Sequence, residues 1–125
     1  MSAETEICQT IQTYFDCMFE ASAEKTHQAF HPAAKITGYM SGALAEMSVS
    51  EFADLVAKVS PSPKDAGVIA RLEVVSLDIS GETAVARVRD DYMGLTFLDT
   101  LSFVHVDDRW QIYNKLFHVE GKAAA

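Results

Sequence analysis

The sequence predicts an α+β fold in which three N-terminal helices pack on a strongly curved antiparallel sheet, a short hairpin plus a four-strand meander, that closes around them as a cone. Three observations lead there. Apolar residues recur at helical spacing before Pro61, and from Gly67 onward the chain changes to long strand-like runs. Those runs are separated by two-residue turn signals, Gly81-Glu82, Met93-Gly94 and Asp107-Asp108, which suit antiparallel hairpins only. A hydrophobic fraction of 49%, with Gly and Pro sparse, is enough to build a packed core.

Residues 4–20 form the first helix, because Ile7, Ile11, Tyr14, Phe15, Met18 and Phe19 make one apolar stripe at three-and-four spacing. Residues 22–30 form a second, short helix with Ser22 as N-cap, and Pro32 forces the chain out of helix. Residues 35–40 and 43–47 flank Ser41-Gly42 and read as a hairpin. The third helix starts at a capping box, Ser48 with Glu51, reinforced by a hydrophobic staple between Met47 and Phe52, and runs to about Val59. Ser60-Pro61-Ser62-Pro63 ends it. Strands follow at 68–80, 83–93, 95–106 and 109–119.

Two-residue turns fix a register that pairs Ile79 with Ala84, Ala84 with Phe103, and Phe103 with Ile112. One face then collects Val75, Leu77, Ala86, Val88, Phe97, Leu101, Trp110 and Leu116, and with them the polar Glu73, Asp90, Tyr92, Asp99, His105, Asn114 and His118. In this register Asp99 lies opposite Leu116, with Asn114 and His118 as diagonal neighbours. The other face carries Arg87, Leu98, Val104, Tyr113, Lys115, Phe117 and Val119, an apolar and hydroxyl mixture suited to a homodimer built sheet to sheet.

At 125 residues the chain is expected to be one domain, 1–125, with its last few residues a tail. The net charge of -8 disfavours nucleic acid and anionic membranes, since binding either requires Lys and Arg. No apolar run is long enough to span a bilayer and the first residues lack the pattern of a signal peptide, so a cytoplasmic location is expected. Cys8 and Cys17 fall on opposite sides of one helix and cannot pair within it.

Ile11 with Tyr14-Phe15, Phe30-His31-Pro32, Gly38 with Gly42, and Asp107-Asp108-Arg109-Trp110-Gln111-Ile112 leading to Lys115-Leu116-Phe117-His118 together give the chain its resemblance to a known group. In element order and in these residues it resembles the nuclear transport factor 2-like superfamily, of SnoaL-like, ketosteroid isomerase-like and cystatin-like folds, and more narrowly its "putative lumazine-binding" family. The resemblance covers nearly the whole chain. It implies a cone that holds a small molecule, and the superfamily spans isomerases, dehydratases, cyclases and binding domains, so the site must decide between them. Ketosteroid isomerase pairs a Tyr with a protonated Asp and adds an Asp base. Tyr14 and Asp99 resemble the first two, while the first-strand region offers Lys35, Thr37 and Tyr39 where the base would stand.

The ligand pocket is expected among Tyr14, Met18, His31, Tyr39, Val88, Asp90, Tyr92, Phe97, Asp99, Leu101, Asn114, Leu116 and His118. Asp99 and His118 form either an acid/base pair or a satisfied structural pair. Tyr14 either donates to a ligand carbonyl or packs with its hydroxyl tied to a neighbour. His31 either projects into the pocket mouth or holds the last carbonyls of the second helix. His31, His105, His118 and Asp99 show no metal-ligand spacing, and neither a metal nor a cofactor is expected. The leading expectation is a binding domain for a small hydrophobic or cyclic molecule. The alternatives are an isomerase, dehydratase or cyclase using Asp99, His118 and Tyr14 as catalytic groups, and a dimeric interaction module without a ligand.

Overall fold

The computed structural model describes residues 2–124. Helices α1 (Ala3–Phe19) and α2 (Ala23–Ala29) lead into strands β1 (Phe30–Met40) and β2 (Ala43–Ser48), then α3 (Val49–Ala57), and then β3 (Leu72–Ser80), β4 (Thr83–Tyr92), β5 (Leu95–Val106) and β6 (Arg109–Lys122). Serine side chains cap all three helices: Ser2 accepts from the Thr5 amide, Ser22 from the Lys25 amide, and Ser48 completes the capping box with Glu51. The helices cover one face of a curved six-stranded sheet of order β2-β1-β6-β5-β4-β3.

Neighbouring strands run antiparallel except at one seam, where β1 lies parallel to β6 and joins the hairpin to the meander. At the Ser41-Gly42, Met93-Gly94 and Asp107-Asp108 turns both central residues have positive φ, which gives the twist a two-residue hairpin needs. β1 starts at Phe30, earlier than the expected residue 35, with an irregularity in its pairing to β6 between Phe30 and Lys35 that accommodates Pro32. β3 begins later than expected, at Leu72.

The β4–β5 register is the expected one along its whole length, with Ala84 opposite Phe103 and Val88 opposite Asp99. The β5–β6 register is not. It begins as expected, with Phe103 opposite Ile112, but a bulge follows and pairs Ser102 with Asn114 and Asp99 with Phe117. One extra residue inverts the side chains beyond it, as far as a further shift between Phe97 and Thr96. Lys115 and Phe117 therefore turn into the cone, and Asn114, Leu116 and His118 turn out, the reverse of the sequence expectation. Another bulge, near Val75 on β3, leaves Glu73 exposed rather than on the inner face.

The core is organised around aromatic rings that tie the layers together. Phe30 at the head of β1 meets Tyr14 of α1 edge-on at 5.8 Å and Phe52 of α3 at 5.8 Å. Ile7, Ile11, Met18, Ile36, Val56, Val88, Leu101, Phe103 and Ile112 are fully buried around them. No helix among the described residues is long and apolar enough to cross a membrane.

Candidate functional site

The open end of the cone holds a cavity of about 290 Å³. Met18 of α1, Ile36 and Met40 of β1, Ala45 and Met47 of β2, and Phe52 and Leu55 of α3 form one wall. Asp90 and Tyr92 of β4, Leu95 and Phe97 of β5, and Lys115 and Phe117 of β6 form the other, with Val59 and Met93 at the ends. The staple pair Met47 and Phe52 thus has two duties, since it starts α3 and lines the cavity. Met40, Leu55 and Met93 are exposed and mark the mouth. A larger concavity of about 520 Å³ lies among Glu6, Gln9, Thr10, Thr13, Gln28 and Arg109. It is a shallow polar groove without the buried charged groups described below.

Two charged groups break the apolar lining. Lys115 is only 5% exposed, and its ammonium makes no ion pair and no hydrogen bond among the described residues. Instead its Nζ lies 4.8 Å from the ring centre of Tyr14, 4.7 Å from that of Phe52 and 5.8 Å from that of Phe117, a cage that stabilises a cation through the ring quadrupoles. Asp90 is 1% exposed, on the cavity wall, and packs against Asp99 behind it.

Asp99 is fully buried and lies outside the lining, with its Oδ2 accepting a 2.6 Å hydrogen bond from the Tyr14 hydroxyl. Asp90 Oδ2 and Asp99 Oδ1 are buried and have no donor. A proton shared between the two carboxyls satisfies both atoms, and buried carboxyls this close cannot both ionise. Burial first, and then the charge of Asp99, push the Asp90 carboxyl up to about 9. The Tyr14 hydroxyl is held well above its ordinary value by burial and then by the charges of Asp90 and Asp99, so it stays a donor. Burial raises the Cys17 thiol to about 11 and the Tyr92 hydroxyl to about 12, which leaves both neutral.

Of the expected pocket residues, Met18, Asp90, Tyr92 and Phe97 line the cavity. Tyr14, Val88, Asp99 and Leu101 are buried behind it. Tyr39, Asn114, Leu116 and His118 stand on the convex face and are exposed, which separates His118 from Asp99 and removes the expected Asp99–His118 pair. His31 does neither of the expected things: its Nδ1 accepts from the Ala33 amide at 3.0 Å and its ring lies 5.0 Å from Tyr113. His105 is stacked on Trp110 at 4.9 Å, and no group of three His, Cys, Asp or Glu among the described residues could hold a metal. Lys115 and Phe117 were missed. The sequence does not mark the shift, because Leu116 continues the apolar phase of Trp110 and Ile112 while Phe117 and Val119 take the opposite one.

The sequence model of the family described as "Putative lumazine-binding" matches residues 2–118. Among curated proteins the chain is similar to Aldolase FrzH of Cladobotryum sp, at 27% identity over 112 residues that span 90% of this chain and 87% of that protein. Among solved structures it is similar to a nuclear transport factor 2-like protein of unknown function from Silicibacter pomeroyi, with a TM-score of 0.87 and 20% identity, over 96% of this chain and 100% of the other. Another, from Methylobacillus flagellatus and also of unknown function, gives a TM-score of 0.81 at 26% identity over 97% and 96% of the two chains.

Proposed function

The chain belongs to the "putative lumazine-binding" family of nuclear transport factor 2-like proteins, and from that premise we propose that its cavity binds a compact, largely apolar, cyclic molecule carrying a carbonyl or carboxylate at one end. The observation that carries this reading is Lys115, a buried lysine on the cavity lining that makes no ion pair among the described residues, beside the Asp90 carboxyl on an otherwise apolar wall. A cationic donor on an apolar cavity wall gains a charge-assisted hydrogen bond when a ligand oxygen supplies its partner. The cavity volume suits a molecule of one or two rings. A pteridine such as lumazine, with donors and acceptors around its rim, would leave most of them unpaired against Met, Leu, Ile and Phe.

Thermal melts with cyclohexanone, benzoate and their parent hydrocarbons test this. The ketone and the carboxylate should raise the melting temperature, by about 2.7 kcal/mol of stabilisation at a hundredfold excess over Kd, and the hydrocarbons should not. Lys115→Met should erase that difference. Equal shifts from hydrocarbons, or an unaltered difference in Lys115→Met, would contradict the reading.

A catalytic reading is favoured by one feature, the adjoining buried carboxyls of Asp90 and Asp99, whose unpartnered oxygens would be satisfied by a proton on Asp90. A neutral carboxyl beside a bound carbonyl can donate to the developing enolate oxygen, and the similarity to an aldolase fits chemistry at a carbon next to a carbonyl. The groups in this reading are Asp90 and Lys115, with Asp99 and Tyr14 positioning Asp90, and His118 has no part. Enhanced exchange of the α-hydrogens of cyclohexanone in deuterated water, lost in Asp90→Asn, is the expected outcome by NMR.

The proposal extends to assembly and setting. A homodimer through the convex face would cover the exposed Tyr39, Leu44 and Leu116, which take the place of Phe117 and Val119 in the expected interface. A cytoplasmic setting suits the free thiols of Cys8 and Cys17.

A further inference from the structure

We propose that Lys115 is a nucleophilic amine that forms an imine with an aldehyde or ketone held in the cavity, with Asp90 transferring the protons. The inference rests on the carbonyl-ligand reading above and adds a covalent step to it.

Three independent placements support this. The Lys115 Nζ reaches the cavity at the end of a side chain that starts on β6 and lies between the rings of Tyr14, Phe52 and Phe117. No carboxylate among the described residues forms a direct ion pair with it, although its charge acts on the neighbouring Asp90. A direct ion pair would set a carboxylate between the amine and an incoming carbonyl, whereas the aromatic faces hold the side chain in place; they too favour the ammonium, so a proton must leave before the lone pair can attack. Asp90 lies on the same cavity wall, and the two orphaned oxygens of Asp90 and Asp99 call for a proton between them. The rest of the wall is apolar, which keeps bulk water from hydrolysing an imine, while the rim at Met40, Leu55 and Met93 leaves a path for entry.

The step balances without an oxidant or reductant. The ammonium first releases one proton to water at the mouth. The nitrogen lone pair then attacks the carbonyl carbon, a C–N bond forms, and the π pair moves to oxygen, which takes the Asp90 proton. The nitrogen returns a proton to the Asp90 carboxylate and gives a carbinolamine. A second protonation by Asp90 lets the hydroxyl leave as water while the nitrogen pair closes the C=N bond. The products are an iminium, one water and an Asp90 carboxylate beside it. The positive iminium and negative carboxylate replace a neutral amine and a neutral acid, so charge is conserved.

Reductive trapping tests the step. Wild-type protein is incubated with benzaldehyde and sodium cyanoborohydride, and the N-benzyl-lysines are mapped by peptide mass spectrometry over time. Lys115 should be labelled ahead of the exposed Lys35, Lys58, Lys64 and Lys122. Asp90→Asn should slow that label by about 100-fold, the contribution of a positioned general acid, while the exposed lysines react as before. Labelling confined to exposed lysines overturns the proposal, and because it is read on the wild-type chain a variant that fails to fold cannot obscure it. If benzoate still stabilises the protein in a Lys115-dependent way, imine formation alone has failed. If that stabilisation is also absent, the binding reading has failed with it.

Discussion

The hydroxyl of Tyr14 is the donor that fixes Asp99, and the consequence of removing it can be stated. Tyr14→Phe keeps the ring that meets Phe30 and Lys115 but leaves Asp99 Oδ2 without its 2.6 Å partner in a fully buried site. The loss should be about 1–3 kcal/mol, the cost of leaving a buried acceptor unsatisfied. Urea denaturation checks it, and a change within about 0.5 kcal/mol, the range of an ordinary surface substitution, would show that the bond carries little. Asp90 gives a second prediction. Its carboxyl is raised in the folded chain from 3.8 to about 9, so between those values the folded state keeps a proton that the unfolded state has released. Stability therefore falls as pH rises through that window, at up to about 1.4 kcal/mol per unit, and levels off above it. Asp90→Asn removes the dependence and keeps a donor toward Asp99. Its melting temperature should exceed that of the wild type by a margin that widens from pH 5 to pH 9. A constant margin would mean that Asp90 does not hold the proton. The sequence marked both carboxylates and Tyr14 as an inward group, because each sits in an unbroken helical or strand phase; what it did not give was the partner of Asp99, since His118 lies beyond a bulge.

At the level of elements, β6 and its parallel seam with β1 decide the character of the cavity. Gly38 pairs with Phe117 across that seam, and a Cβ there would fall 2.5 Å from both the Phe117 carbonyl oxygen and its ring carbon Cδ1. Gly38→Ala must displace backbone as well as ring, so it should cost about 1–3 kcal/mol or more, and the displaced ring should also disturb the cavity and the Lys115 cage. A shift in urea midpoint together with loss of benzoate binding is the expected pair of results, and an unchanged midpoint would show that the seam is looser than these distances imply. Most elements were legible: the three helices through their periodicity and serine caps, the meander through its turns, and the β4–β5 register in full. The inner face of β6 was not, because a register carried forward from a turn stays correct only to the first bulge, and a bulge has no residue signature of its own. Lys115, Phe117, Asn114 and His118 were all misplaced for that single reason. The β1–β6 seam was also beyond the sequence, since nothing local to either strand specifies a parallel partner so far along the chain.

For the whole molecule, the account is of a cone closed by its own core at one end and left open at the other over a caged lysine. Its convex face is proposed to pair with a second copy, and Leu116, 55% exposed near the middle of that face, is the residue to test. Leu116→Glu should shift sedimentation from dimer to monomer at micromolar concentration without lowering the melting temperature of the monomer, whereas a wild-type monomer at that concentration would contradict the pairing. The central claim is the inward Lys115, and lysine side-chain NMR on protein with ¹³C-labelled lysine reads it most directly. Three aromatic rings around one ammonium should shift one set of lysine ε-resonances far upfield by their ring currents. That set should be absent from Lys115→Met and should move when benzoate is added. If every lysine instead shows ε-resonances at the positions of exposed side chains, and none responds to benzoate, Lys115 does not occupy the cavity and the account fails.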